Sequence, residues 1–175
     1  MRHAPTVLAR EALRALRDLK PTSRRAIVVV AGAAGAAIAI ALMELLAART
    51  AIPLLFVPFA TSIVLVMGSP EIEAAQPRAL IGGHLVATLV GLLVVKVTGP
   101  GTAAAALAVG LAMVAMHLTR SFHPPAGIDP LVVVINDLSW GFLLVPVAVG
   151  ACLLAALALA WHNLFRRGSW PTRWW

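Results

Sequence analysis

Charge is scarce in this sequence. Of its 175 residues only 12% are Asp, Glu, Lys or Arg, 61% are hydrophobic, and the mean hydropathy is +0.92. A soluble domain of ordinary composition carries about twice that share of charge, so a soluble globular protein is excluded. Cysteine is reduced to Cys152, which lies in an apolar run and can form no internal disulfide. There is no phosphate-cradling glycine loop and no evident nucleophile–base pattern, so an enzyme is not expected. What is abundant is Ala, Val, Leu and Ile, in nearly continuous runs long enough to cross a hydrocarbon core about 30 Å thick. The fold class this predicts is all-α: a polytopic transmembrane bundle of about four long helices plus two short segments broken by Pro and Gly. The lipid bilayer is then the first partner.

The net charge of +7 would suggest nucleic acid on a soluble protein. Here the basic residues gather at the two ends, which reads as membrane orientation, and no nucleic-acid partner is expected. Residues 1–25 hold seven of them, with Leu8, Ala12, Leu16 and Leu19 at helical spacing. This segment reads as a basic amphipathic helix on the cytoplasmic leaflet rather than a cleaved signal peptide. The transmembrane domain runs over 26–164. Its long spans fall at 26–48, 79–98, 102–119 and 140–164, and its short segments at 52–68 and 124–138. Residues 165–175, rich in Arg and Trp, form an interface-bound cytoplasmic tail.

If both short segments cross, twelve of the fourteen basic residues lie on one side, leaving only Arg49 and Lys96 on the other. If residues 124–138 merely re-enter, the split falls to nine against five. The positive-inside rule therefore favours six crossings with both termini cytoplasmic, in a cytoplasmic (inner) membrane. Each short segment is second in a group of three. With an offset of 66, Pro58-Phe59-Ala60 meets Pro124-Pro125-Ala126. Paired broken segments in matching places point to an inverted repeat with a transport site between its halves. Gly/Ala-rich faces such as Ala31–Ala37 suit close helix packing and make a homo-oligomer a further candidate partner.

The site is expected at Ser121–Pro130, where His, paired prolines, Gly and Asp stand together. Broken backbone at membrane depth is tolerated only where it is buried in protein or lines a cavity. The expected substrate contacts are His123, Pro124, Pro125, Ala126, Gly127, Thr61 and Ser62, with His84 and Asp129 as second contributors. Helix starts near Pro58 and Pro124, at mid-depth across a shared cavity, would offer N–H donors and a positive dipole end to an anion. His123 could bind or shuttle a proton near neutral pH. The spacing of His84, His117 and His123 matches no metal motif, and no cofactor is expected.

The ordered series Pro58-Phe59-Ala60-Thr61-Ser62, Ala75-Gln76-Pro77-Arg78, Ile81-Gly82-Gly83-His84, His123-Pro124-Pro125 and Trp140-Gly141-Phe142-Leu143-Leu144-Val145-Pro146 resembles the HPP family of integral membrane proteins. The likeness runs from about residue 52 to 164. The family is usually described with about four spanning helices, fewer than counted here, and its plastid members are linked to nitrite transport. The resemblance therefore implies a transporter of a small anion, nitrite or nitrate first. A non-transporting membrane subunit or scaffold is the alternative, and a membrane enzyme a weaker one. The chain departs from the family pattern after the prolines, where Ala126-Gly127-Ile128-Asp129-Pro130 replaces a run of small residues. A carboxylate at Asp129 repels an anion unless it is protonated or paired, which leaves proton coupling open.

Overall fold

A computed structural model describes residues 21–50, 59–165 and 167–174. Of the amphipathic segment predicted over 1–25, residues 1–20 lie outside the described residues and 21–25 belong to the first long helix instead; the predicted helix start at Pro58 also lies outside them. Among those described, all regular structure is helical. The helices are α1 (Pro21–Thr50), α2 (Phe59–Gly68), α3 (Pro77–Thr98), α4 (Thr102–Leu118), α5 (Asp129–Ile135) and α6 (Val149–Phe165). Short 3₁₀ turns at Glu73–Ala75 and Pro124–Ile128 precede α3 and α5, and a π-helical stretch at Leu143–Ala148 leads into α6.

Composition explains where these elements start and stop. Pro77 opens α3 at a first-turn position that needs no N–H donor, and Gly99 closes it at φ 75°, a left-handed conformation that glycine adopts without strain. At 10 residues, α2 rises only about 15 Å, half of a hydrocarbon core. The last long helix predicted over 140–164 is in fact interrupted. Pro146 supplies no N–H, and Val145 leaves helical geometry at φ −133°, ψ 116°. The break falls where the helix passes the buried core, and π-type irregularities of this kind gather at functional places.

Close contacts fix the direction of each passage. Gly32 of α1 lies against the Met67 carbonyl at the end of α2, and Gly35 lies against the Trp161 indole near the end of α6. Residues from Gly35 to Leu42 share a groove with residues from Leu157 to Leu164. Phe59 at the start of α2 is fully buried, against Gly150 in the first turn of α6 and the His84 ring two turns into α3. The start of α2 is therefore buried deep in the bundle, and α2 rises from there to the end where α3 begins, called the Pro77 end below. The tail returns to the same end, where Trp170 Nε1–H donates to the Ala75 carbonyl at 3.2 Å. The end of α2, the end of α6 and the C-terminal tail thus meet at the Pro77 end, where His162 Nε2 also bonds the Val66 carbonyl at 2.9 Å.

The packing is reciprocal, as an inverted repeat requires. In the first half α2 packs on α1 and on α6; in the second, α5 packs on α4 and on α3. Each short helix thus rests on the first helix of its own half and the third helix of the other. A glycine makes room in both cases. A Cβ on Gly150 would stand 2.2 Å from the Phe59 ring, and one on Gly91 would stand 2.7 Å from Pro130.

Candidate functional site

Among the described residues five polar side chains are packed inside this bundle with no exposure: Ser62, His84, Thr88, His123 and Asp129. They come from α2, α3, the stretch before the 3₁₀ turn, and the first turn of α5. Buried polar groups in a membrane bundle need partners, and these supply one another. His123 Nδ1 lies 2.7 Å from the Ala74 carbonyl, and its Nε2 lies 2.9 Å from Ser62 Oγ. Ser62 Oγ lies 2.9 Å from His84 Nε2. His84 Nδ1 lies 2.7 Å from Asp129 Oδ2, which also accepts from the Thr88 hydroxyl at 3.3 Å. The result is one continuous chain of hydrogen bonds from Ala74 to Thr88.

Local sequence accounts for this convergence. Gly82 and Gly83 let the stretch Ser121–His123 approach α3: a Cβ on Gly83 would stand 2.6 Å from His123 Cβ and 2.8 Å from the Ser121 carbonyl. His84 and Thr88 are one turn apart and face the same side of α3. Pro124 and Pro125 start the 3₁₀ turn, which swings the chain so that Asp129 opens α5 beside His84. A carboxylate in a first helical turn also meets the favourable end of the helix dipole. The Phe59 ring, 4.8 Å from the His84 ring, walls the site on the α2 side.

Of the nine predicted contacts, the structure joins Ser62, His84, His123 and Asp129. Ala126 is buried, but Pro124 is exposed and Gly127 and Pro125 are half-buried; they shape the turn without entering the relay. Thr61 is exposed, on the other side of α2 from Ser62. His117 stacks on Phe122 and stays exposed, outside the hydrogen-bonded chain. Where a shared cavity was expected between the two broken segments, Ser62, His84, His123 and Asp129 lie fully buried in hydrogen-bond contact. Thr88 and the Ala74 carbonyl escaped the reading of the sequence; the spacing of His84 and Thr88 was the one available signal. The sequence also showed no nucleophile–base pattern, yet Ser62, His84 and Asp129 stand in the order of a Ser-His-Asp triad, assembled from three distant segments.

The Pro77 end is capped by the tail. Trp170 is 1% exposed rather than resting at a lipid interface, and Gln76 Oε1 accepts from the Thr172 N–H at 2.9 Å. Beside it opens a pocket of about 160 Å³ lined by Arg78, Arg120 and Arg173 together with Glu73, Gln76, Ala79 and Trp174. Arg78 donates to the Thr119 carbonyl at 2.8 Å, which ties the start of α3 to the end of α4. None of the four relay side chains lines this pocket.

The family described as "HPP, transmembrane region" matches residues 21–171. This chain belongs to the HPP family. The relay residue His123 and the two prolines after it are the tripeptide for which the family is named. Two transmembrane proteins of Dictyostelium discoideum are similar to this HPP chain over 125 residues, at 41% and 37% identity. Each match covers 67% of this chain but only 40% and 44% of the relative. The chain thus spans less than half the length of these relatives. No solved structure matches it significantly. It is an integral membrane protein whose HPP motif starts the second broken segment.

Proposed function

We propose that this protein moves a small anion across the membrane, with nitrite or nitrate as the substrate to test first, and that it is a carrier rather than an enzyme. The observation that carries the reading is the buried relay of Ser62, His84, His123 and Asp129. Ionisable groups inside a membrane bundle are expensive to bury and mark substrate or proton pathways. Their place between two broken segments in reciprocal halves is where carriers built from inverted repeats hold their substrate. The three arginines at the Pro77 end support an anion: they would concentrate one at the mouth of the path. That end is assigned to the cytoplasm, since basic residues collect on the inner side. The test is flux of nitrite and of nitrate into liposomes containing the purified full-length chain. Uptake above that of empty liposomes supports the reading, and its absence for both anions counts against it.

A second reading has a specific observation behind it. The Ser62–His84–Asp129 geometry is that of an acyl-transfer triad, which favours a membrane hydrolase. Against it, Ser62 Oγ is sealed between two imidazoles, where a nucleophile needs room for a carbonyl carbon. A fluorophosphonate probe that labelled Ser62, and lost that label in Ser62→Ala, would favour the hydrolase.

A further inference from the structure

We propose that Ser62, His84, His123 and Asp129 together form a proton-binding site that holds an excess proton and passes it between Asp129 and His123. As a proton site the cluster stands on its own geometry; as a coupling device it rests on the transport reading above.

The argument is a count of hydrogens. A carbonyl oxygen can only accept, so His123 Nδ1 carries a hydrogen towards Ala74. The contacts His123–Ser62, Ser62–His84 and His84–Asp129 each need one hydrogen between their heavy atoms as well. Without it, two lone pairs would face each other in a buried site. Four contacts therefore need at least four hydrogens. Two neutral imidazoles, one hydroxyl and one carboxylate bring three. The fourth is an excess proton, and with it the cluster is neutral overall.

That proton has three places, linked by balanced transfers. In the first, Asp129 Oδ2–H donates to His84 Nδ1, His84 Nε2–H to Ser62, and Ser62 Oγ–H to His123 Nε2. Breaking the Asp129 O–H bond and forming His84 Nδ1–H gives a carboxylate beside an imidazolium. Then His84 Nε2–H passes its proton to Ser62 as Ser62 passes its own to His123 Nε2. His84 is left neutral and His123 becomes the imidazolium. The Thr88 hydroxyl donates to Asp129 Oδ2 throughout. Asp129 Oδ1 is buried without a partner, a lower cost on a neutral acid than on a carboxylate, so the first arrangement is the resting one. The other titratable groups near these elements face elsewhere: His162 on α6 bonds the Val66 carbonyl, His117 on α4 stacks on Phe122, and Glu44 on α1 is exposed.

A relay of this kind carries a proton from beside Thr88, halfway along α3, towards Ala74 at the Pro77 end. It also removes the objection that Asp129 would repel an anion, because the site is neutral when loaded.

The first test needs no transport. The 175-residue chain carries Asp18, Asp129 and Asp137, so an Asp18→Asn, Asp137→Asn background leaves Asp129 alone. In lipid nanodiscs at neutral pH, infrared spectra of the ¹³C-aspartate-labelled chain report its carboxyl, and ¹⁵N NMR of labelled histidines reports the imidazoles. The expected result is a protonated carboxyl at Asp129 or one buried imidazolium. An ionised Asp129 beside two neutral buried imidazoles overturns the proposal. The second test uses nitrate in proteoliposomes, since its conjugate acid is too strong to cross the bilayer as a neutral molecule. A gradient of about one pH unit should hold nitrate about tenfold more concentrated on the alkaline side if one proton accompanies each anion. Nitrate flux indifferent to the gradient overturns the coupling while leaving transport intact. No flux of either anion removes the transport reading, and the spectra then decide the proton site.

Discussion

His84 and Asp129 face each other across 45 residues of chain, Nδ1 to Oδ2 at 2.7 Å, both with no exposed side-chain surface. The contact joins the third helix of one half to the short helix of the other. The fully buried polar side chains among the described residues are arranged around it. Ser62 and His123 extend it towards the Pro77 end, Thr88 holds its far side, and Phe59 closes over it.

Ser62 is the link between the two imidazoles. Ser62→Ala removes one oxygen and leaves two ring nitrogens without a partner, at a cost of about 1–3 kcal/mol. Anion flux should fall at least about tenfold, the equivalent of ~1.4 kcal/mol in a barrier. Thr61→Ala, on the exposed side of the same helix, should leave flux within about twofold. Flux assays on both variants, with thermal melts as a folding control, check the contrast.

Gly83 is where α3 and the HPP stretch touch. Gly83→Ala puts a methyl 2.6 Å from His123 Cβ, so the His123 backbone must move. Overpacking of this kind costs about 1–3 kcal/mol. Gly110→Ala on α4 meets nothing within 4 Å and should be neutral or stabilising by up to about 1 kcal/mol. Denaturation midpoints in detergent compare the two.

Trp170 anchors the tail over the Ala74–Gln76 turn. Trp170→Ala empties a buried site and costs about 3–5 kcal/mol if the whole bundle feels it. The expected outcome is local, because the indole contacts the turn and the end of α6 rather than the relay. Hydrogen exchange should accelerate at Gln76 and Thr172, while protection at Ala87 and Leu92 is kept.

The six-crossing path predicts labelling from opposite sides. In a Cys152→Ser background, His3→Cys and Thr172→Cys should react with an impermeant thiol reagent from the same face, and Pro100→Cys from the other. Positions 3 and 172 reacting from opposite faces would remove the inverted repeat.

Much of the scaffold was legible because its signals are local. Runs of apolar residues, Pro77 and Gly99-Pro100-Gly101 mark helices and turns within a few residues of each. The HPP break was legible for the same reason. The interruption at Val145–Pro146 was passed over because the apolar run continues through it, and hydropathy does not register a missing N–H. The relay was legible only in part. His123 stands beside its prolines and Ser62 follows Pro58 in the same short segment, but the bonds of His84 to Asp129 and Ser62 span 45 and 22 residues, and no period in the chain encodes such pairings. Thr61 and Ser62 look equivalent in sequence; the helical phase of α2, set by Phe59 seating against Gly150, decides which one turns inward. The docking of Trp170 depends on where the tail returns, and nothing near it in sequence signals that.

The central claim is that an anion crosses this bundle by way of His123 and its partners. The most direct measurement is uptake of nitrite and nitrate by proteoliposomes holding equal amounts of wild type or His123→Ala, each shown to be folded by its thermal melt. The account predicts uptake by the wild type well above empty liposomes, and a fall of at least about tenfold in the variant. Equal uptake by the two folded proteins would contradict it and leave the buried chain from Ala74 to Thr88 a structural feature.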